Sequence, residues 1–255
     1  ADPVFDRFIS EVREEAAAQG ISERHLANLD RLTPEPEITR LASSQPEYVK
    51  PIWAYLDHLI TPNRLTLGRE NLNAYRPYLD KLEAQYGVPV GILVAIWGVE
   101  TNYGSNKGSF HVLQALATLG YEGRRAKFGR QQLLAALQIL QSGDVTINNF
   151  YGSWAGAMGH TQFIPTTYLA YAADGTGDGK RDVWTSPQDA LASAANYLKV
   201  SGWQRGMPWG FEVVLPKNFD YGVAGLDQRS SAARWRERQV RAARGTKVLA
   251  DSLGE

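Results

Sequence analysis

Apolar positions recur at helical spacing along most of the chain. Val4, Phe5, Phe8, Ile9 and Val12 mark one face of a helix that closes at Gly20. Ser22 with Glu23 opens a second, shorter helix running to Leu29. Pro34 and Pro36 separate it from a stretch in which Trp53, Leu56, Leu59 and Ile60 repeat at a helical period. After the Thr61-Pro62-Asn63 break, the pattern predicts a helix from about Leu67 to Tyr86, stopped by Gly87. Further helices are predicted near Val112–Leu119, Arg130–Ser142, Thr166–Ala173 and Pro187–Val200. Only Phe211–Leu215 alternates, weakly and among Pro and Gly, which predicts a minor β element. The fold class is therefore mainly α, with residues 1–86 as a helical N-terminal subdomain, 87–205 as a core and 206–255 as a small β/helical segment.

One stretch departs from amphipathic patterning. Val88–Val99 is almost wholly apolar, yet it runs straight into Glu100 and the polar turn Thr101-Asn102-Tyr103-Gly104. No other acid lies between Glu83 and Glu122. Taking an unpaired carboxylate out of water disfavours its charged form, which raises the pKa and makes a proton donor near neutral pH. The plain alternative is a helix end whose stem packs while its head stays wet. A second unusual stretch, Phe150–Pro165, carries no charge and is punctuated by glycines, which permit close approach of backbone to a neighbour or ligand.

Composition narrows the chemistry. Lys and Arg number 27 against 27 Asp and Glu, so no global field recruits nucleic acid or an anionic membrane. The run Arg234, Arg236, Arg238, Arg241, Arg244 and Lys247 reads as a solvated helix face. Cysteine is absent, which excludes disulfides and thiolate metal sites. The apolar run before Glu100 is too short for a membrane span, and the Ala1-Asp2-Pro3 start suits a processed or trimmed end. The 7 Trp, 12 Tyr and 8 Phe suit core packing first, and the flat faces of sugar rings as well. His160 stands alone, without a nucleophile–carboxylate pair or metal-ligand spacing, so it reads as a packed residue.

Together, Gly98-Val-Glu-Thr-Asn-Tyr-Gly104 and Gly156-Ala-Met-Gly-His-Thr-Gln-Phe-Ile-Pro165 resemble the two signatures of the B-type lytic transglycosylases, bacterial enzymes that cleave peptidoglycan. The resemblance runs from the Trp53/Tyr55 region through Asn196-Tyr197 and more weakly to about residue 250. It implies a lysozyme-like catalytic core, with Glu100 as acid and then base. It also implies substrate-groove positions for Ser153, Gln162, Met158, Tyr103 and Tyr197. Ordinary glycosidases need a second carboxylate. This family does not, because the 6-hydroxyl of N-acetylmuramic acid attacks its own anomeric carbon and closes a 1,6-anhydro ring. The inventory agrees, since residues 84–121 and 145–173 hold no acid besides Glu100.

The segment Asp174-Gly-Thr-Gly-Asp178-Gly-Lys180 matches the first half of an EF-hand loop, with oxygen donors on Asp174, Thr176 and Asp178 and the carbonyl of Lys180. Position twelve is Thr185 in place of Glu. The resemblance implies a structural Ca²⁺ closed by Asp189, with no organic cofactor. It further implies glycan strands as partner, a soluble monomeric form without stable membrane insertion, a periplasmic or cell-envelope location, and a C-terminal segment that is incomplete at Glu255. Two readings compete with it: a muramidase that uses water, which needs a second carboxylate, and a non-catalytic cell-wall binding protein, which needs no acid. A calcium sensor fails because only one loop is present.

Overall fold

The computed structural model describes residues 2–44 and 51–243. Helices, α and 3-10 together, hold 58% of the described residues, against four two-residue strands, which settles the mainly-α class. The chain divides into two compact units, Ala1–Trp203 and Gln204–Glu255.

The first unit opens with α1 (Pro3–Ala18), capped by Asp2, whose carboxylate accepts from the amides of Val4 and Phe5. Its buried face, Phe5, Phe8, Val12 and Ala16, belongs to one core with Leu113, Leu116, Leu133, Leu137, Phe150, Tyr168 and Trp184. The N-terminal helices thus do not form a body of their own. α1 is built into the centre of the unit, because its apolar stripe finds cover only against later helices. A short α2 (Glu23–Leu26) passes into a 3-10 turn at Ala27–Arg31. α3 (Pro36–Ser43) has no counterpart among the predicted helices, although Pro36 stands in its first turn and Glu35 caps it. α4 (Ile52–Leu59) buries none of its residues.

The long helix expected up to Tyr86 is two: α5 (Pro62–Ala74) and α6 (Arg76–Tyr86). Pro77 has no amide hydrogen to give to the Asn73 carbonyl, so the helix breaks at Tyr75 and restarts. Gly87, at φ 77°, stops α6 as expected. α7 (Val90–Thr101) comes next, and its Leu93, Val94 and Trp97 pack with Leu79, Leu82, Leu191 and Ala195 in a second core.

α8 (Val112–Tyr121) and α9 (Ala126–Ser142) cross where Gly120 meets Gly129 with no room for a β-carbon at either. β1 (Phe110–His111) precedes this hairpin and β2 (Tyr151–Gly152) comes after it. They pair antiparallel, with Phe110 opposite Gly152 and His111 opposite Tyr151. Isolated bridges then link Gly152 to Met158 and Met158 to Phe163, extending the ribbon. α10 (Pro165–Tyr171) and α11 (Pro187–Val200) flank the acidic loop.

In the second unit, β3 (Val213–Val214) pairs antiparallel with β4 (Arg241–Ala242), and α12 (Ala232–Glu237) lies between them in the chain. The basic run is therefore not one helix face. Arg234 and Arg236 are helical and Arg241 is in a strand, while Arg244 and Lys247 lie outside the described residues.

Candidate active site

Glu100 sits in the last turn of α7. The apolar run predicts a buried carboxyl, and the structure corrects this: Glu100 is exposed. A helix end with Val99 also exposed cannot enclose it. Surrounding protein still displaces enough water to raise its pKa above the usual 4.5. No ion pair or side-chain hydrogen bond reaches the carboxylate among the described residues, so nothing offsets that loss of solvent. The result is an accessible carboxyl biased toward its protonated form.

The turn after Glu100 is strained. Asn102, Tyr103 and Gly104 have φ of 49°, 60° and 84° in succession. Among the described residues, four non-glycine positions have positive φ. Three of them (Asn102, Tyr103 and Gln162) lie in the two sequence motifs, where such conformations persist only if the surroundings enforce them. Enforcement is visible here. The Tyr103 hydroxyl donates to the Arg64 carbonyl at 2.9 Å, and its ring occupies the space that side chains at Gly68 and Gly98 would need. Tyr103 thus holds the turn against α5 and meets Trp97 edge-on, with ring centroids 5.7 Å apart.

The second motif is fastened to the same helix end. Thr101 Oγ1 donates to the His160 carbonyl at 2.7 Å and accepts from the Gly104 amide at 2.9 Å. Trp97 Nε1 donates to His160 Nδ1 at 3.0 Å. An indole nitrogen can only donate, so Nδ1 is an acceptor and the neutral ring carries its proton on Nε2. Burial first, and the nearby Lys107 charge second, lower the His160 pKa from 6.5 to about 4, partly opposed by Asp182. His160 is the packed residue that its isolation in the sequence implied.

The remaining positions separate by role. Ser153 is half-buried, and its Oγ accepts from the amides of Ala155 (3.3 Å) and Ala157 (3.0 Å), which leaves the hydroxyl proton free to donate. Gln162 spends its Nε2 on the carbonyls of Gly159 (2.9 Å) and Lys107 (3.4 Å), which leaves the amide oxygen for another donor. Met158 is fully buried in the core cluster, so it supports the ribbon from beneath and does not line a groove. Tyr197 is 39% exposed on α11, standing edge-on to Tyr171 at 5.1 Å and near Phe163 at 5.9 Å. Reasoning from sequence missed Arg64 and the bonds of Trp97 and Thr101, because nothing in their spacing marks a long-range partner.

In the acidic loop, carboxylate oxygens of Asp174, Asp178 and Asp189 lie within 4.8 Å of one another. Asp189 comes from the first turn of α11 and is completely buried, accepting from the amides of Gly175, Thr176 and Asp182 at 2.9, 3.1 and 2.9 Å. Burial raises its pKa despite those bonds, and the Asp174 charge adds to the effect. Thr185, at position twelve, gives both its amide and its hydroxyl to the Asp182 carboxylate. The set fits a hard cation: three carboxylates converge, one of them buried without a counter-charge. Thr176 presents its hydroxyl to Asp174 at 3.3 Å.

An exposed but partly dehydrated acid at a helix end, fastened through Thr101 to a glycine-rich ribbon in a helical fold, is the candidate site of an acid/base enzyme. The chain belongs to the transglycosylase SLT domain family, whose profile matches residues 4–254. That family comprises lysozyme-like enzymes that cleave peptidoglycan. Over 153 residues the chain is 40% identical to membrane-bound lytic murein transglycosylase B of Escherichia coli strain K12, a match spanning 60% of this chain and 42% of that protein. Its fold is similar to SltB3 from Pseudomonas aeruginosa, solved in complex with NAG-NAM-pentapeptide. That match has a TM-score of 0.92 and 47% identity, covering 98% of this chain and 67% of the other. It is also similar to Escherichia coli lytic transglycosylase SLT35 in complex with calcium, at TM-score 0.83 and 29% identity, covering 98% and 78%.

Proposed function

We propose that this protein cleaves the β-1,4 bond between N-acetylmuramic acid and N-acetylglucosamine in peptidoglycan without consuming water. Glu100, protonated, gives its proton to the glycosidic oxygen as the bond from the muramic C1 breaks. The same carboxylate then accepts the proton of the muramic 6-hydroxyl as that oxygen bonds C1. Glu100 ends as it began, and the product carries a 1,6-anhydro ring. Holding nucleophile and electrophile in one sugar supplies the proximity that a second protein group would otherwise provide.

The observation that carries this reading is the raised pKa of a lone, unpaired Glu100 in stretches otherwise free of acids. Ser153 and Gln162, each with one hydrogen-bonding function unspent, would orient the glycan, and Tyr197 would stack on it. The same reading assigns a structural Ca²⁺ to Asp174, Asp178 and Asp189, with Thr176 and the Lys180 carbonyl completing its oxygen shell. It places the enzyme in the periplasm or cell envelope. Among the described residues no single helix is long and apolar enough to cross a membrane.

Mass spectrometry of products formed in heavy-oxygen water tests the proposal. Anhydro ends without label support it, and labelled reducing ends would make the protein a muramidase.

A further inference from the structure

We infer that His160 is a positioning residue for Glu100, acting through Trp97 and Thr101 on either side of it in α7. The inference rests on the proposed function only for its consequence on turnover. The link itself stands on geometry. Trp97 and Thr101 are four residues apart, so they share the helix face that turns inward while Glu100 looks out. Both reach the same residue: the indole of Trp97 bonds the His160 ring, and the hydroxyl of Thr101 bonds the His160 carbonyl.

His160 is held in turn from its other sides. Its amide donates to the Val183 carbonyl at 2.9 Å, and Gly159 lies so close to that carbonyl that no β-carbon fits. Its ring lies against Gly104, where a β-carbon would overlap it. The imidazole therefore fills a slot between the helix carrying the acid, the turn after it, and the loop before α11. Trp97 and His160 are 2% and 6% exposed, so water cannot substitute for a lost partner.

This arrangement works only with an unprotonated ring. A second ring proton would set two donors, Trp97 Nε1–H and Nδ1–H, against each other. The charged groups nearest the ring are opposed in sign, with Lys107 from the turn before β1 disfavouring the imidazolium and Asp182 from the loop before α11 favouring it. Releasing Trp97 would leave Thr101 as the one hydrogen-bonded tie described between α7 and residue 160, loosening the helix end and with it the direction in which the Glu100 proton is delivered.

Three variants and one spectrum test this. His160→Leu keeps bulk but removes the acceptor, whereas His160→Asn places an oxygen near the Nδ1 position that never protonates. His160→Leu should lower kcat by roughly 10- to 100-fold with KM nearly unchanged, the size expected when a reacting group is misplaced by a fraction of an ångström to about an ångström. His160→Asn should recover most of that loss and flatten the acid side of the pH–kcat profile. Folded fraction is monitored by circular dichroism. The spectrum needs no substrate: the Trp97 indole proton, assigned by Trp97→Phe, should move to its unbonded position in His160→Leu and, in the parent, on titration toward pH 4. A folded His160→Leu with parental kcat, or an indole signal indifferent to that change, would overturn the inference. If the parent releases no anhydro product, the proposed function fails while the indole signal still decides the link.

Discussion

Gly104 and His160 touch so closely that a β-carbon on residue 104 would occupy the imidazole's place. The backbone there has φ 84°, a conformation side chains resist. Gly104→Ala is therefore expected to destabilise the fold through both the strained backbone and a displaced ring, by about 1–3 kcal/mol. Urea unfolding measures it. A variant as stable as the parent would mean that ring and turn move apart without cost.

Glu100→Gln removes the transferable proton and leaves the helix end intact, since the carboxylate has no partner to lose. Turnover of purified peptidoglycan should fall by roughly 10²- to 10⁴-fold with a melting temperature equal to or slightly above the parent's, since the amide relieves the dehydrated charge. In the parent, activity should decline as pH rises through the raised pKa of Glu100, because the acid is then spent before substrate arrives. That descending limb should coincide with the Glu100 carboxyl titration followed by carbon NMR. A limb at an ordinary glutamate pKa would remove Glu100 from the acid's role.

Stability should also depend on pH, through His160. The folded ring titrates at about 4 and the unfolded one near 6.5, so between these values the unfolded chain binds more protons. The contribution is complete above pH 6.5 and is lost as pH falls to about 4, amounting to roughly 3 kcal/mol. Glu100, with its pKa raised, has the opposite sign: the folded state gains slightly as pH drops through the raised value. Unfolding free energies of the parent and His160→Asn should diverge progressively below pH 6.5. Parallel curves would show that the ring charges without penalty.

Calcium should raise the melting temperature and a chelator should lower it, because a ligand of the folded state alone shifts unfolding by mass action, about 2.7 kcal/mol at a hundredfold excess over Kd. Asp189→Asn should abolish the response; without calcium, its amide oxygen still accepts from Gly175 and Thr176, and relief of the buried charge offsets the bond lost where the NH2 faces the Asp182 amide. An identical calcium shift in the variant would place the ion elsewhere.

Legibility in the sequence depends on the range of the interactions. Glu100, the helices around it and the stop at Gly87 are local facts, set by the apolar run and a left-handed cap. The break at Pro77 is equally local, since proline withholds one hydrogen bond wherever it falls past the first turn, but the apolar spacing runs across it and hides it. The resemblance implies a groove position for Met158, which lies in the uncharged, glycine-rich motif. Backbone bridges to Gly152 and Phe163 instead roll its side chain into the core. The Trp97–His160 bond joins residues 63 apart and leaves no periodic trace. Glu100's exposure likewise depends on what the rest of the chain fails to place over it.

The ribbon that carries the second motif has a consequence for the order of assembly. Phe110 pairs with Gly152 across the whole α8–α9 hairpin, an open span of about 40 residues whose closure alone costs roughly 3 kcal/mol in chain entropy. Once α8 and α9 have zipped together at Gly120 and Gly129, that span is short-circuited and the ribbon ends arrive as neighbours. The ribbon is thus expected to be a late product of folding, gated by the α8–α9 hairpin. Enlarging Gly129 should slow the appearance of activity on refolding more than it slows the growth of helical signal.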